Sequence, residues 1–170
     1  MRTTSNFIEK LGIRCPIIQA PMAGVSTPEL AAAVSNAGGL GSLGIGAITI
    51  NQARTMIEQT HRLTEQPFNV NVFCHAPAKR DPDREKAWLA HLAPLFSEAG
   101  LDTPDQLDEI YTSFLVDDEQ LKMLLELRPA VVSFHFGIPS ADGIACLREA
   151  GIYTMATATN PYEAALIERE

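Results

Sequence analysis

Between residues 16 and 46 the chain reads PIIQAPMAGVSTPELAAAVSNAGGLGSLGIG, and this stretch leaves few folds open. It begins with a short apolar run, residues 16–22, of a length that suits a strand buried on both faces. A turn of small residues follows, and then a helix start. Thr27 can cap it and Pro28 then takes the first helical position, where a missing N–H costs nothing. Ser26 with Glu29 fits a capping box one residue earlier, so either residue can be the cap. The helix is alanine-rich and thin, fit to lie close on a sheet, and Gly38-Gly39 end it. A second buried strand, residues 40–46, comes at once. Strand, helix and strand with such short connections predict two parallel, adjacent strands. Gly41, Gly44 and Gly46 weaken that second strand. Two readings of them stay open: tight packing of strand on helix, or close approach of another backbone or a flat ligand.

The same rhythm continues. Residues 49–64 carry Ile50, Ala53, Met56, Ile57 and Leu63 on one helical face. His61, late in that helix among polar residues, reads as a surface histidine near the C-terminal dipole rather than a ligand. FNVNVFC, residues 68–74, is a third strand. Its alternation puts Asn69, Asn71 and Phe73 on one face and the valines on the other. Asparagine is depleted in strands, and a buried amide without a partner is costly. The two asparagines therefore need either neighbours to bond or a polar planar ligand to recognise. His75 can line a site or cap a loop.

Residues 76–118 break the rhythm and read as a helical insertion. One helix is predicted over 85–99, interrupted or kinked at Pro94, and a shorter one from residue 103 or 104 to about Tyr111. Trp88, Phe96 and Tyr111 can border a substrate pocket but read first as the packing of the insertion itself. A helix over 117–127, a fourth strand over 130–137, a helix over 141–150 and a fifth strand over 152–159 follow. Asn160-Pro161 then opens a last helix. Ser133, His135 and Gly137 share one face of the fourth strand, with His135 near its C-terminal end, the end where α/β folds hold ligands. The lead-in, residues 1–15, holds about one turn of helix that can close the bottom of a barrel or fray.

About five strand–helix repeats allow an open doubly wound sheet or a (β/α)8 barrel. Gly39, Gly41 and Gly44 match G-x-G-x-x-G but fall inside a strand, so the dinucleotide fingerprint fails on context. The net charge of −8 argues against nucleic acid or an anionic membrane as the main partner. No stretch reads as a signal peptide or as a membrane span. Three scattered cysteines, Cys15, Cys74 and Cys146, have no metal spacing and read as reduced thiols in a cytoplasmic protein.

Four stretches together, QAPMAG with TPELAAAVSNAGGLGSLG, FNVNVFCH, VSFHFG and the insertion between the last two, resemble the class I nitronate monooxygenase family. The first alone fits a wider set of FMN-dependent TIM barrels, the enoyl-ACP reductases among them. The resemblance implies an α/β fold, a (β/α)8 TIM barrel with the helical insertion after its third strand. It implies FMN as cofactor and oxidation of alkyl nitronates, such as propionate 3-nitronate, by O2 to a carbonyl compound and nitrite. Pro21, Met22 and Ala23 would lie against the flavin ring. Asn71, with Asn69 second, would bond it, and His135 would line the active site and help hold negative charge. The family's E-A-G-G-H histidine segment and its later phosphate loops have no counterpart in these residues. The expectation is thus an N-terminal part of 1–170 that binds FMN weakly and lacks turnover alone. Its open strand edges would aggregate, self-associate or take a complementing C-terminal half. Competing expectations are an FMN-dependent NAD(P)H reductase of quinone or enoyl type and a non-catalytic remnant.

Overall fold

The computed structural model describes residues 3–169. Its sheet has four parallel strands in sequential order: β1 (Gly41–Gly44), β2 (Phe68–Phe73), β3 (Val131–His135) and β4 (Tyr153–Ala156). Seven helices accompany them: α1 (Thr3–Leu11), α2 (Pro28–Asn36), α3 (Ile50–Leu63), α4 (Pro82–Glu98), α5 (Asp118–Leu127), α6 (Ala141–Glu149) and α7 (Pro161–Ile167). A strand–helix order with every neighbour parallel is the N-terminal course of a (β/α)8 barrel. The chain divides into two compact units. Pro77–Ile110 forms the smaller one, and the rest, through Ala76 and from Tyr111 onward, forms the larger.

In the larger unit the main core lies between the sheet and helices α2, α3, α5 and α6. Val70, Val72, Val132 and Phe134 meet Ile57, Leu124, Ile144 and Leu147 there. The opposite face of the sheet is polar in its middle and apolar at the bottom. Leu11 and Ile13 pack with Leu40 and Val131, with Tyr153 and Met155 against them. The lead-in is therefore the plug at the strands' N-terminal ends.

Residues 16–22 do not form the doubly buried strand predicted for them. Ile18 bridges Leu40 in parallel register, and that is the whole of the pairing. Ile17 is 62% exposed, with one neighbouring segment instead of two among the described residues. The backbone ladder stops after Gln19 N–H donates to Leu40 O. The side chain of Gln19 then continues it: Oε1 accepts from Ser42 N–H at 3.2 Å and Nε2 donates to Ser42 O at 3.1 Å. An amide side chain has the same donor and acceptor as a peptide group, so it can replace one rung. The backbone is thereby freed to turn inward over β1.

The cap of α2 is Thr27, whose Oγ1 accepts from Leu30 N–H at 3.2 Å. Ser26 is spent on the turn before it. The glycines of β1 divide between the two readings given above. A Cβ on Gly41 would fall on the Ala31 carbonyl of α2, which is helix packing. A Cβ on Gly44 would stand 2.9 Å from Pro21 O, which is close approach of the loop backbone.

In the smaller unit α4 starts at Pro82, capped by Asp81, three residues before the predicted start, and runs unbroken through Pro94. The proline removes one bond, and the carbonyl it would have used belongs to exposed Ala90, where water can serve it. No helix forms over 103–111. Residues 101–111 hold Asp102, Asp105, Asp108 and Glu109, with Leu101 and Ile110 more than half exposed. With no apolar face to bury, a short helix is not stable.

Two substitutions test this packing with opposite signs. Gly41→Ala is expected to destabilise the protein by about 3 kcal/mol, since a backbone carbonyl cannot give way. Gly143→Ala, inside α6 with only ordinary contacts from 3.5 Å, is expected to stabilise it by about 0.5–1 kcal/mol. Urea unfolding of the two variants reads both.

Candidate active site at the strand ends

The inner face of the sheet is built in rows by the strand register. Ser42 pairs with Asn69, Asn69 with Val131 and Val131 with Tyr153 in the lower row. Gly44, Asn71, Ser133 and Met155 form the next row. Phe73 and His135 stand opposite each other at the top, where both strands end. Each row lies about 7 Å above the one below. Asn71 is thus one step beneath the rim, and Asn69 two.

Both asparagines are buried, and each meets a serine on a neighbouring strand. Asn69 Nδ2 donates to Ser42 Oγ at 3.2 Å. Asn71 Nδ2 donates to Ser133 O at 3.0 Å and Ser133 Oγ at 2.9 Å. The carbonyl only accepts, so the Asn71 amide can face only one way. The neighbours satisfy the donor ends alone. Oδ1 of Asn69 and Oδ1 of Asn71 are buried with no donor among the described residues. An orphan acceptor costs roughly 1–3 kcal/mol, and a planar ring carrying an imide N–H would remove that cost at Asn71.

Above β1 the turn from Ala20 to Ser26 is fixed by one hydroxyl. Ser26 Oγ accepts from Met22 N–H at 3.0 Å and from Gln19 Nε2 at 3.0 Å, and donates to Ala20 O at 3.3 Å. Its one donor and two acceptor sites are all in use. Pro21 is half-buried, while Met22 and Ala23 are exposed. The loop so held presents residues 21–23 at the rim over Gly44.

His135 is half-buried, and burial holds its pKa below the ordinary histidine value. It is therefore neutral at pH 7. Its Nδ1 pairs with Thr157 Oγ1 at 3.0 Å, from the segment just after β4. Thr157 was not legible as a partner from spacing alone. His75 follows β2, and its Nε2 donates to Tyr111 O at 3.1 Å while Ser113 Oγ donates to His75 O at 2.6 Å. Tyr111 is thereby brought to the rim, where its ring lies 5.8 Å from that of Phe73. A cavity of about 420 Å³ opens there, lined by Ala23, Phe73, His75, Tyr111 and Phe136. Tyr111 therefore borders a pocket instead of packing the insertion, a placement set by hydrogen bonds across 36 residues of sequence. Trp88 stays half exposed in the smaller unit, beside His91.

Two other groups stand as read from the sequence. His61 is exposed and donates from Nε2 to Leu127 O at 2.9 Å, tying α3 to α5. All three cysteines are free thiols, and burial pushes Cys74 up to about 12. No cluster of His, Cys, Asp or Glu among the described residues has the arrangement of a metal site. No described helix is long and apolar enough to cross a membrane.

Comparison with known proteins gives a consistent result. The family profile described as nitronate monooxygenase matches residues 4–170. A nitronate monooxygenase of Paraburkholderia phytofirmans is 60% identical over 158 residues, covering 93% of this chain and 43% of its own length. That of Pseudomonas aeruginosa is 56% identical, covering 97% of this chain and 47% of its own length. Among solved structures, nitroalkane oxidase from Streptomyces ansochromogenes matches with TM-score 0.82 and 40% identity, over 92% of this chain and 44% of that one. FabK from Thermotoga maritima matches with TM-score 0.68 and 27% identity, over 96% and 40%. The chain thus spans under half the length of these curated relatives.

Ser26→Ala is expected to leave the sheet intact and free the loop. Hydrogen exchange at the Met22 amide should speed up by about tenfold, while the Val70 and Val132 amides keep their protection. A second expectation concerns acid. The unfolded chain binds a proton at His135 near its ordinary pKa and the native protein only below it, so stability contributed above that pKa is lost as pH falls. His135→Gln should lose less stability than the parent between about pH 7 and about pH 5, measured as urea midpoints at each pH.

Proposed function

This chain belongs to the nitronate monooxygenase family, and from that premise we propose that the full-length protein is an FMN-dependent oxidoreductase. It oxidises alkyl nitronates, propionate 3-nitronate among them, with O2 to a carbonyl compound and nitrite. The observation that carries the proposal is convergence. The loop 21–23 over Gly44 and the imidazole of His135 lie at one rim, and the orphan Oδ1 of Asn71 lies on the row just beneath it.

FMN, when bound, supplies an electron acceptor for the nitronate and a route for those electrons to O2. The chain's own residues do the rest. Pro21, Met22 and Ala23 give a fixed, mostly apolar surface for one face of a flat ring, because Ser26 and Gln19 leave that turn no freedom. Asn71 Oδ1 would accept from the imide N–H of such a ring. Asn69, a row deeper and bonded to Ser42, is the second candidate to bond the ring. A nitronate is an anion and needs a donor. With Thr157 Oγ1–H donating to Nδ1, the neutral His135 carries its proton on Nε2 and can donate it as a hydrogen bond. Phe73, Tyr111 and Phe136 line the cavity beside it with aromatic surface.

No nucleic acid or membrane surface enters this reading, and the net charge of −8 suits that. We place the protein in the cytoplasm, where its free thiols stay reduced. Self-association of the full-length protein is part of the proposal. The QAPMAG stretch, which also resembles FMN-dependent enoyl-ACP reductases, favours a second reading, an FMN-dependent NAD(P)H reductase of quinone or enoyl type.

One experiment separates the readings. The full-length protein is loaded with FMN and mixed without O2 with an alkyl nitronate or with NADH. Bleaching of the flavin near its visible maximum by the nitronate, and nitrite release once O2 is admitted, are expected. Bleaching by NADH alone would give the reductase reading. His135→Gln should lower kcat/KM for nitronate by about tenfold to a hundredfold, the size of one lost hydrogen bond to a charge.

A further inference from the structure

Phe136 stands where a phenylalanine is not expected. Its φ is +67°, in the left-handed region that favours glycine. Arg128 is the other non-glycine residue with positive φ among the described residues, and it has an ordinary reason as the C-cap of α5. Phe136 caps nothing. It follows the last residue of β3, and its ring is 69% exposed.

The strained turn is held from both sides. His135 O accepts from Cys74 N–H at 2.8 Å, so the backbone up to Phe136 is tied to the end of β2. Gly137, with φ +139°, lies so close to β2 that a Cβ on it would stand 2.7 Å from Cys74 O. No other residue type fits at 137, and the direction of the Phe136 side chain is set in consequence. The ring meets Phe73 edge to face at 5.0 Å and lies 6.0 Å from the ring of His135. It borders two cavities at once. One is the 420 Å³ cavity that includes Ala23 and Tyr111. The other, of about 470 Å³, lies on the side of His135 and Thr157.

A side chain with strained backbone and little buried area contributes little to stability. Strain of this kind persists at sites where it positions a group for function. Resting on the reading under Proposed function, we propose that Phe136 determines specificity: its ring is the partition that limits the alkyl tail of the nitronate to one cavity. Removing the ring joins the two cavities and admits longer tails.

The test uses the full-length protein and Phe136→Gly, with Phe136→Asn as a second small residue that tolerates left-handed backbone. Each is assayed with a two-carbon and a six-carbon alkyl nitronate, and the thermal midpoint is measured without cofactor. The expected result is a midpoint unchanged or raised, with the ratio of kcat/KM for the long over the short substrate increased by about tenfold or more. An unchanged ratio in a parent that does oxidise nitronates overturns the specificity role and leaves the proposed activity standing. A lowered midpoint with an unchanged ratio does the same and makes the ring structural. A parent whose flavin takes no electrons from either nitronate overturns the proposed activity, and the role of Phe136 falls with it.

Discussion

One side chain lets this sheet have a functional rim. Gln19 stands where the edge segment leaves the sheet, and its carboxamide takes the rung that the backbone gives up. Without it, Ser42 would have an unpaired N–H and C=O on a strand that is otherwise buried. With it, the backbone from Ala20 to Ser26 can turn over β1, and only glycine at position 44 leaves room for that. The same carboxamide also reaches Ser26, whose hydroxyl fixes the turn. Sheet edge, loop and rim are therefore one hydrogen-bonded assembly.

The inner face follows the same economy. Amides on β2 donate sideways to serines on β1 and β3, which holds three strands in register through side chains as well as backbone. The neighbours leave the acceptor of Asn71 for something else. Burial keeps His135 neutral, and Thr157 fixes which ring nitrogen faces away from it. A flat polar ring and an anion, the partners proposed for it, would find an acceptor and a donor on this face.

Much of this was legible in the sequence, for definite reasons. The alternation of FNVNVF has period 2, so the inward face of β2 could be read directly. Asn160 caps α7 ahead of Pro161, as its residue type said it would. His135 stood at a strand end because its neighbours are β-branched or aromatic. Other features were illegible because they are not local. An apolar run such as PIIQAPM does not say how many strands it pairs with, and among the described residues it pairs with β1's lead-in alone. Tyr111 is brought back to the rim by His75, far away in sequence. The acidic stretch near Asp105 offered cap and turn residues that suggested a helix, but no face to bury. Left-handed backbone at Phe136 lies beside a glycine that runs close to Cys74, a tertiary proximity that spacing cannot reveal.

The central claim is that residues 21–23, Asn71 and His135 surround one flat ring. A crystal structure of the full-length protein grown with FMN measures this most directly. The account predicts the isoalloxazine against the Pro21–Ala23 loop, its imide N–H on Asn71 Oδ1 and His135 at its edge. A ring bound elsewhere, with Asn71 Oδ1 still without a donor, would contradict it.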